Sequence, residues 1–199
     1  MAFELLRSHH YKFFLLLLIS IVFTACSMRY VPLPSPGVEI VEEVAVISAE
    51  DVLLTVENRY WTKEPDNLSD YFSTFFISAK NLTKSSINIT PEDINLLDQF
   101  GNQFDIVSTD YVEKMLLPDD FDLRIVELVG EKEPALVDEW REAKQNLITY
   151  SFHFGTILPG AKKSGFIFYP RLASKNIKCS VIFRNQRINF IRNDKKNEA

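Results

Sequence analysis

Short segments in which apolar residues alternate with polar ones recur between residues 38 and 191. In residues 52–61, for example, Val52, Leu54 and Val56 fall on one side of an extended backbone. This two-residue period is typical of a strand with one buried face, and the β-branched and aromatic residues of the runs favour strands as well. Many short strands that do not alternate with helices predict a mainly β domain, an antiparallel β-sandwich.

The other strand-like segments follow the same pattern and are bounded by turn residues. They cover residues 38–48, 71–81, 86–90, 95–98, 103–107, 149–155, 164–169, 177–184 and 187–191. Between two of them, the sequence Gln99-Phe-Gly-Asn102 predicts a hairpin loop, because Gly101 adopts a positive φ without steric cost.

Residues 108–148 interrupt the strands and predict a helical insertion in the sandwich. A short helix is expected over residues 111–117, and a longer one begins at Pro134, which suits the first helical position. The longer helix has an apolar face of residues at helical spacing, Leu136, Trp140, Ala143 and Leu147. This face predicts a helix that packs on the sandwich. A helix that binds a partner or a membrane surface is the alternative, and its mixed polar side disfavours the membrane.

The start of the chain carries a different signal. The apolar run of 13 residues over 13–25 follows the basic residues Arg7 and Lys12, as in an export signal. As a helix it would be about 20 Å long, whereas the hydrocarbon core of a bilayer is roughly 30 Å thick. The run therefore favours a signal peptide over residues 1–25 that is removed, and it disfavours an uncleaved membrane anchor.

The end of this run, Phe23-Thr24-Ala25-Cys26, resembles the signal of a bacterial lipoprotein. Small residues let a peptidase approach the backbone, and a thiolate is a strong nucleophile. The resemblance implies cleavage between Ala25 and Cys26, then a diacylglycerol and an N-acyl chain on Cys26, and no other cofactor. Ser27 in the next position implies the periplasmic face of the outer membrane. A secreted protein cut after Ser27 is the alternative.

The segment after the lipidation site contains three prolines within residues 32–36. Prolines at this density disfavour helices and interior strands, so residues 26–37 are predicted to be an extended, lipidated tether. The sandwich domain is then expected over residues 38–191, and the polar residues 192–199 are expected to form a frayed tail.

The two cysteines of the chain have different expected roles. If Cys26 is acylated, Cys179 has no partner for an internal disulfide. Cys179 alternates with Ile177, Val181 and Phe183, which predicts a buried packing residue. The remaining alternatives are a reactive thiol and an intermolecular disulfide.

Few residues offer catalytic or metal-binding chemistry. His153 is the one histidine after residue 25, and it is expected at the surface. One histidine and one buried cysteine do not build a zinc site or a Cys–His pair. Asp119, Asp120 and Asp122 lack the full spacing and the glycine of a calcium loop, so a solvated loop is expected there. We predict no catalytic residues and no metal ligands.

Charge and exposed aromatics limit the partners. Without residues 1–25 the chain has 20 basic and 26 acidic side chains, a net charge of −6. This balance does not support nucleic-acid binding, which needs a clustered basic face. Tyr60 and Trp61 stand beside a polar, Pro-containing stretch and are the expected exposed aromatic contact site.

Three pieces of the sequence carry a further resemblance. They are Asn81-Leu-Thr-Lys-Ser-Ser-Ile-Asn-Ile-Thr-Pro91, Ile94-Asn-Leu-Leu-Asp-Gln-Phe-Gly-Asn-Gln-Phe104 and Leu158-Pro-Gly-Ala-Lys-Lys-Ser-Gly-Phe-Ile-Phe168. Their order is similar to that in the immunoglobulin-like β-sandwich domains of uncharacterised bacterial lipoproteins and exported proteins. The resemblance implies an immunoglobulin-like fold and assigns no catalytic residue.

These observations predict a lipid-anchored, non-enzymatic protein of the cell envelope. Its membrane contact is made through the acyl chains, and its sandwich domain is expected to bind or scaffold another protein. A periplasmic sensor that binds a small ligand or carbohydrate between sandwich and helices is the alternative. A hydrolase is the third possibility.

Overall fold

The observed fold is a β-sandwich, as the alternating segments predict. The computed structural model describes residues 29–49, 51–116 and 134–193, and within them twelve strands form two five-stranded sheets and one two-stranded sheet. Every strand pair in these sheets is antiparallel. The immunoglobulin-like assignment within this class stays a prediction.

The strands are β1 (Arg29–Pro32), β2 (Val38–Val41), β3 (Val44–Ala49), β4 (Val52–Asn58), β5 (Phe72–Asn81), β6 (Ile87–Ile89), β7 (Ile94–Asp98), β8 (Gln103–Phe104), β9 (Gly155–Ile157), β10 (Lys162–Pro170), β11 (Lys178–Phe183) and β12 (Gln186–Asn193). The first sheet has the order β1-β12-β11-β7-β8, and the second has the order β10-β5-β4-β3-β2. Strands β6 and β9 pair separately. The helices are α1 (Leu68–Tyr71), α2 (Thr109–Leu116) and α3 (Pro134–Tyr150), and a 3-10 turn covers Pro91–Asp93.

The main core lies between the two large sheets. The inward residues of β4 are Val52, Leu54 and Val56, and all three are fully buried. The ring of Phe75 on the second sheet meets that of Phe190 on the first in an edge-to-face contact, with centroids 5.4 Å apart. Such a pair is worth about 1 kcal/mol beyond its buried area, so it helps to hold the sheets together.

A second core lies on the outer face of the second sheet, beneath the helices. Its buried residues are Trp61, Leu68, Phe72, Val112, Leu147, Phe166 and Phe168. Leu147 comes from α3, which confirms that the longer predicted helix packs on the sandwich, and Val112 shows that α2 packs there as well.

Two of the segments predicted as strands differ in kind from the structure. The segment 38–48 is a hairpin rather than one strand, because Glu42 and Glu43 take φ values of 50° and 67° and reverse the chain. The strand expected over 149–155 is wrong: α3 continues to Tyr150, and β9 begins only at Gly155. Burial of Leu147 under the sheet favours the longer helix.

The tether prediction is wrong for residues 29–32, which form strand β1 and pair with β12. The side chain of Tyr30 is buried, and its hydroxyl donates to the carbonyl of Asn176 at 2.7 Å. Pro32 is tolerated because β1 is an edge strand and Pro32 is its last residue. The predicted tail is also wrong at residues 192–193, because β12 continues to Asn193. The rest of the tail, 194–199, lies outside the described residues.

Both ends of the helical insertion are fixed to the free edge of β10. The amide of Val107, just before α2, donates to the carbonyl of Phe168 at 2.8 Å. The amide of Phe152, just after α3, donates to the carbonyl of Phe166 at 2.8 Å. At this crossing a Cβ atom on Gly165 would overlap with the backbone of Ser151 and Phe152. Gly165 is therefore required so that the chain leaving α3 can approach β10.

We expect Gly165→Ala to lower the free energy of unfolding by at least about 2 kcal/mol, because backbone atoms must move to admit the methyl group. Ser164→Ala changes the adjacent exposed residue of the same strand and is the matched control, with an expected change within about 0.5 kcal/mol. Urea denaturation followed by circular dichroism measures both. Equal stability of the two variants would contradict the assigned role of Gly165.

Candidate contact surfaces

The predicted lipidation site lies just ahead of the described residues. Cys26 and Ala25 are outside them, and β1 begins at Arg29, three residues beyond Cys26. Three extended residues span at most about 11 Å, which is therefore the greatest separation of the Cα atoms of Cys26 and Arg29. Any group attached at Cys26 is thus joined to the sandwich through the end that carries Arg29.

This end, which we call the Arg29 end, joins the two sheets through polar contacts. The guanidinium of Arg29 lies 3.0 Å from a carboxylate oxygen of Glu43 and 3.1 Å from one of Glu57. The amide of Tyr30 donates to Oδ1 of Asn58 at 2.8 Å, and Nδ2 of Asn58 donates to the carbonyl of Thr74 at 2.9 Å. Asn58 is buried, so its two hydrogen bonds fix the position of β1 on the second sheet.

The Arg29 end also carries the hairpin 99–102 and the loop 171–177, and a single side chain ties them together. The side-chain amide of Gln99 accepts from the amide of Ile177 at 2.9 Å and donates to the carbonyl of Lys175 at 3.0 Å. The Nζ atom of Lys175 lies 5.1 Å from the ring centroid of Phe100, within the range of a cation–π contact.

Asp98 holds the hairpin in shape. Its Oδ1 accepts from the amides of Phe100 at 2.8 Å and Asn102 at 2.9 Å, and its Oδ2 accepts from Nδ2 of Asn102 at 2.8 Å. Burial alone would raise the pKa of Asp98, but the hydrogen bonds from Asn102, Phe100 and Gly101 outweigh it and lower the pKa. Gly101 has a φ of 86°, which confirms the predicted turn residue.

The hairpin and the loop together expose apolar and basic side chains. Phe100 is 57% exposed and Ile177 is 49% exposed, large values for such residues. Three basic residues of the same region are also exposed, Arg171, Lys175 and Lys178. Residues 99–102 and 171–178 contain no Asp or Glu.

The predicted aromatic contact site at Tyr60 and Trp61 is wrong for Trp61. Its side chain is only 3% exposed, and its ring packs on Phe166 at 5.2 Å and on Phe168 at 5.7 Å between centroids. Tyr60 is half-buried. Tyr150 at the end of α3 is an exposed aromatic whose ring centroid lies 6.4 Å from that of Trp61, and sequence reasoning missed it.

The run of β10 contains the signal that could have corrected this prediction. Phe166, Ile167, Phe168 and Tyr169 are consecutive large residues, and all four are buried. A strand without alternation is buried on both faces, so a second layer must cover the outer one. Trp61 belongs to that layer.

Cys179 and His153, the two residues considered for reactive chemistry, have surroundings that indicate structural roles. Cys179 is 2% exposed, as predicted, and burial raises the pKa of its thiol to about 12. His153 is exposed, as predicted, with its Nε2 atom 2.7 Å from the carbonyl oxygen of Ile148.

Two classes of site are absent from the part of the chain that the structure describes. There, no group of three or more His, Cys, Asp and Glu side chains could hold a metal ion. In the same part, no helix is long and apolar enough to cross a membrane. Asp119, Asp120 and Asp122 lie outside the described residues.

Comparison with known proteins yields weak structural similarity only. The chain matches no protein-family model and no curated protein. A secreted protein of Mycobacterium tuberculosis, MPT63, is similar with a TM-score of 0.32 and 8% identity, over 75% of this chain and 92% of that one. A functionally unknown protein from Listeria monocytogenes is similar with a TM-score of 0.33 and 12% identity, over 78% of this chain and 75% of that one.

We expect Asp98→Asn to lower stability at neutral pH, because the charged carboxylate is a better acceptor for the turn than an amide. A lowered pKa in the folded state means that this contribution is fully present above the ordinary pKa of 3.8 and is lost as the pH falls through the lowered value. The difference in unfolding free energy between the two proteins is therefore constant down to about pH 5 and shrinks below it.

Denaturant titrations at a series of pH values measure this difference. Asp66→Asn, at an exposed loop residue, is the control and is expected to match the unmodified protein throughout. A difference for Asp98→Asn that grew as the pH fell would contradict the role of the charged carboxylate in the turn.

Proposed function

We propose that this protein is a lipid-anchored protein of the cell envelope that acts by binding another envelope protein rather than by catalysis. The observation that carries the proposal is the position of Cys26. It follows the lipoprotein-like segment Phe23-Thr24-Ala25 and precedes the first strand of a folded domain by three residues. Cleavage between Ala25 and Cys26 would leave the cysteine as the first residue, where it carries a diacylglycerol and an N-acyl chain.

The second cysteine supports the assignment of the first. Cys179 is enclosed in the sandwich core, and its raised pKa keeps the thiol protonated and unreactive at neutral pH. The thiol of Cys26 is therefore not matched by an accessible partner in the fold. Acylation uses this thiol, and two or more acyl chains give stable membrane attachment.

The packing beneath the helices supports binding of a macromolecule over binding of a small ligand. In the described residues, the space between the second sheet and the helices is filled by Trp61, Phe166, Phe168 and Leu147. A small-ligand or carbohydrate sensor would need an open pocket at this place. Ser27 after the cysteine supports the periplasmic face of the outer membrane as the location.

We expect Cys26→Ser to abolish acylation and to move the protein out of the washed membrane fraction, because the thiol that accepts the diacylglycerol is gone. Intact-mass spectrometry of protein from its own host measures the acyl groups, and fractionation measures attachment. Cys179→Ala is the control, and this variant keeps the acyl mass and the membrane location. Acylation or membrane attachment that survives in Cys26→Ser would overturn the proposal.

The binding role predicts a companion protein. Mild detergent extraction of the lipidated protein, followed by affinity purification and size-exclusion chromatography, is expected to yield one other protein in fixed stoichiometry. That protein should be retained after a salt wash, since a specific interface is only partly electrostatic. Recovery of the lipidated protein by itself under these conditions would contradict the binding role and leave the anchoring intact.

A further inference from the structure

We infer that the Arg29 end of the sandwich rests on the membrane, and that the hairpin 99–102 and the loop 171–177 contact the lipid surface directly. The inference rests on the acylation of Cys26 proposed above. It differs from the expectation of an extended tether over residues 26–37, because strand β1 begins at Arg29.

The length of chain between anchor and fold limits the position of the domain. At most about 11 Å separates the Cα atoms of Cys26 and Arg29. Strand β4 has seven residues, so the opposite end of the sandwich is about 20 Å further away. The Arg29 end is therefore held at the lipid surface by the anchor itself.

The position of the hairpin and the loop in the sheet brings them to the same level as Arg29. Arg29 pairs with Asn193 across β1 and β12, and the amide of Arg192 donates to the carbonyl of Ile177 at 2.7 Å. Cys179 pairs with Asp98, so the hairpin that follows Asp98 extends in the same direction. The contacts of Gln99 described above then fix the two loops as one unit.

The exposed side chains of these loops fit an anionic lipid surface. Phe100 and Ile177 are apolar residues exposed by about half, and an interface accepts such side chains at the boundary of headgroups and acyl chains. Lys175 contacts the ring of Phe100 and exposed Lys178 follows Ile177 in sequence, and basic residues near the surface are attracted to anionic headgroups.

Asp98 is the acidic residue of the first sheet at the Arg29 end, and its buried carboxylate is held by hydrogen bonds within the hairpin. The other acidic residues considered at this end lie toward the second sheet. Glu43 and Glu57 are both paired with Arg29. The exposed acids Glu42 and Asp70 belong to segments that border the second sheet. The side of the first sheet, with Phe100 and Ile177, is therefore the side that faces the lipid.

Cysteine labelling tests the contact in the full lipidated protein. Cys179 is buried and Cys26 would be acylated, so a new surface cysteine is the site that takes a nitroxide label. We would compare Phe100→Cys and Ile177→Cys with Leu158→Cys. Leu158 is 63% exposed and lies at the opposite end of the sandwich, so it is the matched control.

Each labelled protein is reconstituted into vesicles of phosphatidylethanolamine and phosphatidylglycerol. Accessibility is measured by power-saturation electron paramagnetic resonance with oxygen and with a water-soluble nickel chelate. Labels at 100 and 177 are expected to gain contact with oxygen and lose contact with the chelate when vesicles are added. The label at 158 is expected to stay accessible to the chelate.

Charge reversal tests the role of the basic residues. The double variant Lys175→Glu with Lys178→Glu is expected to lose the protection of the label at 177 from the nickel chelate in anionic vesicles. Lys80→Glu with Lys162→Glu is the matched control, since these lysines are exposed and pair across β5 and β10 at the opposite end. That variant is expected to leave the protection unchanged.

The outcomes separate this inference from the proposed function. Acyl groups in the mass spectrum, together with equal chelate access at 100, 177 and 158, would overturn the lipid contact and leave the anchoring in place. Protection in native membranes that is absent from protein-free vesicles would also overturn it, in favour of a protein at this surface. Absence of acyl groups would overturn both.

Discussion

Burial of β10 on both faces is the constraint on which most of the architecture depends. Ile167 and Tyr169 point into the core between the sheets, whereas Phe166 and Phe168 belong to the outer cluster beneath the helices. A solvent-exposed pair of Phe side chains would forfeit about 2 kcal/mol of burial for each ring. The sheet therefore needs a covering layer, and α2, α3 and Trp61 supply it. The bare edge of β10 also supplies the carbonyls of Phe166 and Phe168 that fasten both ends of this layer.

The contacts of strand β1 explain why the fold begins so close to residue 26. Strand β1 completes the edge of the first sheet, and Tyr30 donates its hydroxyl hydrogen bond to the loop 171–177. Buried Asn58 accepts from β1 and donates to β5, so the two sheets share this contact. Removing β1 to make a longer tether would expose the main core and leave buried Asn58 without one of its partners. The domain gains cohesion from these contacts, and they leave only a short chain between Cys26 and the first strand.

Local period was sufficient to predict the elements with one buried face. The two-residue period of β4 is visible in Val52, Leu54 and Val56, and the helical period of α3 is visible in Ala143 and Leu147. In both elements one face packs on a single neighbouring layer, so the apolar residues recur with the period of the backbone. The fold class and the helix-on-sheet packing follow from these patterns. The hairpin at Gly101 follows from the conformational freedom of glycine, which is equally local.

The remaining features depend on tertiary contacts that the sequence around the residue itself does not encode. Trp61 lies in a polar segment, which predicts a surface residue, but the chain folds back and packs its ring on Phe166. The prolines around Pro32 predict a linker, but Pro32 ends an edge strand. An edge strand leaves one side of its backbone without sheet hydrogen bonds, so it accepts proline at its end. Both errors have the same physical source: the burial of a residue depends on the layer that covers it.

The Arg29 end of the sandwich exposes apolar side chains on segments that are held in place by hydrogen bonds. The side chains of Gln99 and Asp98 make six hydrogen bonds that hold the hairpin and the loop, so the segments that expose Phe100 and Ile177 are ordered in advance. Segments that are ordered before binding lose less conformational entropy when they bind. More of the free energy gained by burying each exposed side chain then remains as binding free energy. If Cys26 is acylated as proposed, the short connection to it acts in the same direction, because it would raise the local concentration of the lipid surface at these loops. The proposed anchor and the fold would then favour the same face of the domain, and the part of the sandwich turned away from the lipid would be left for the proposed protein partner.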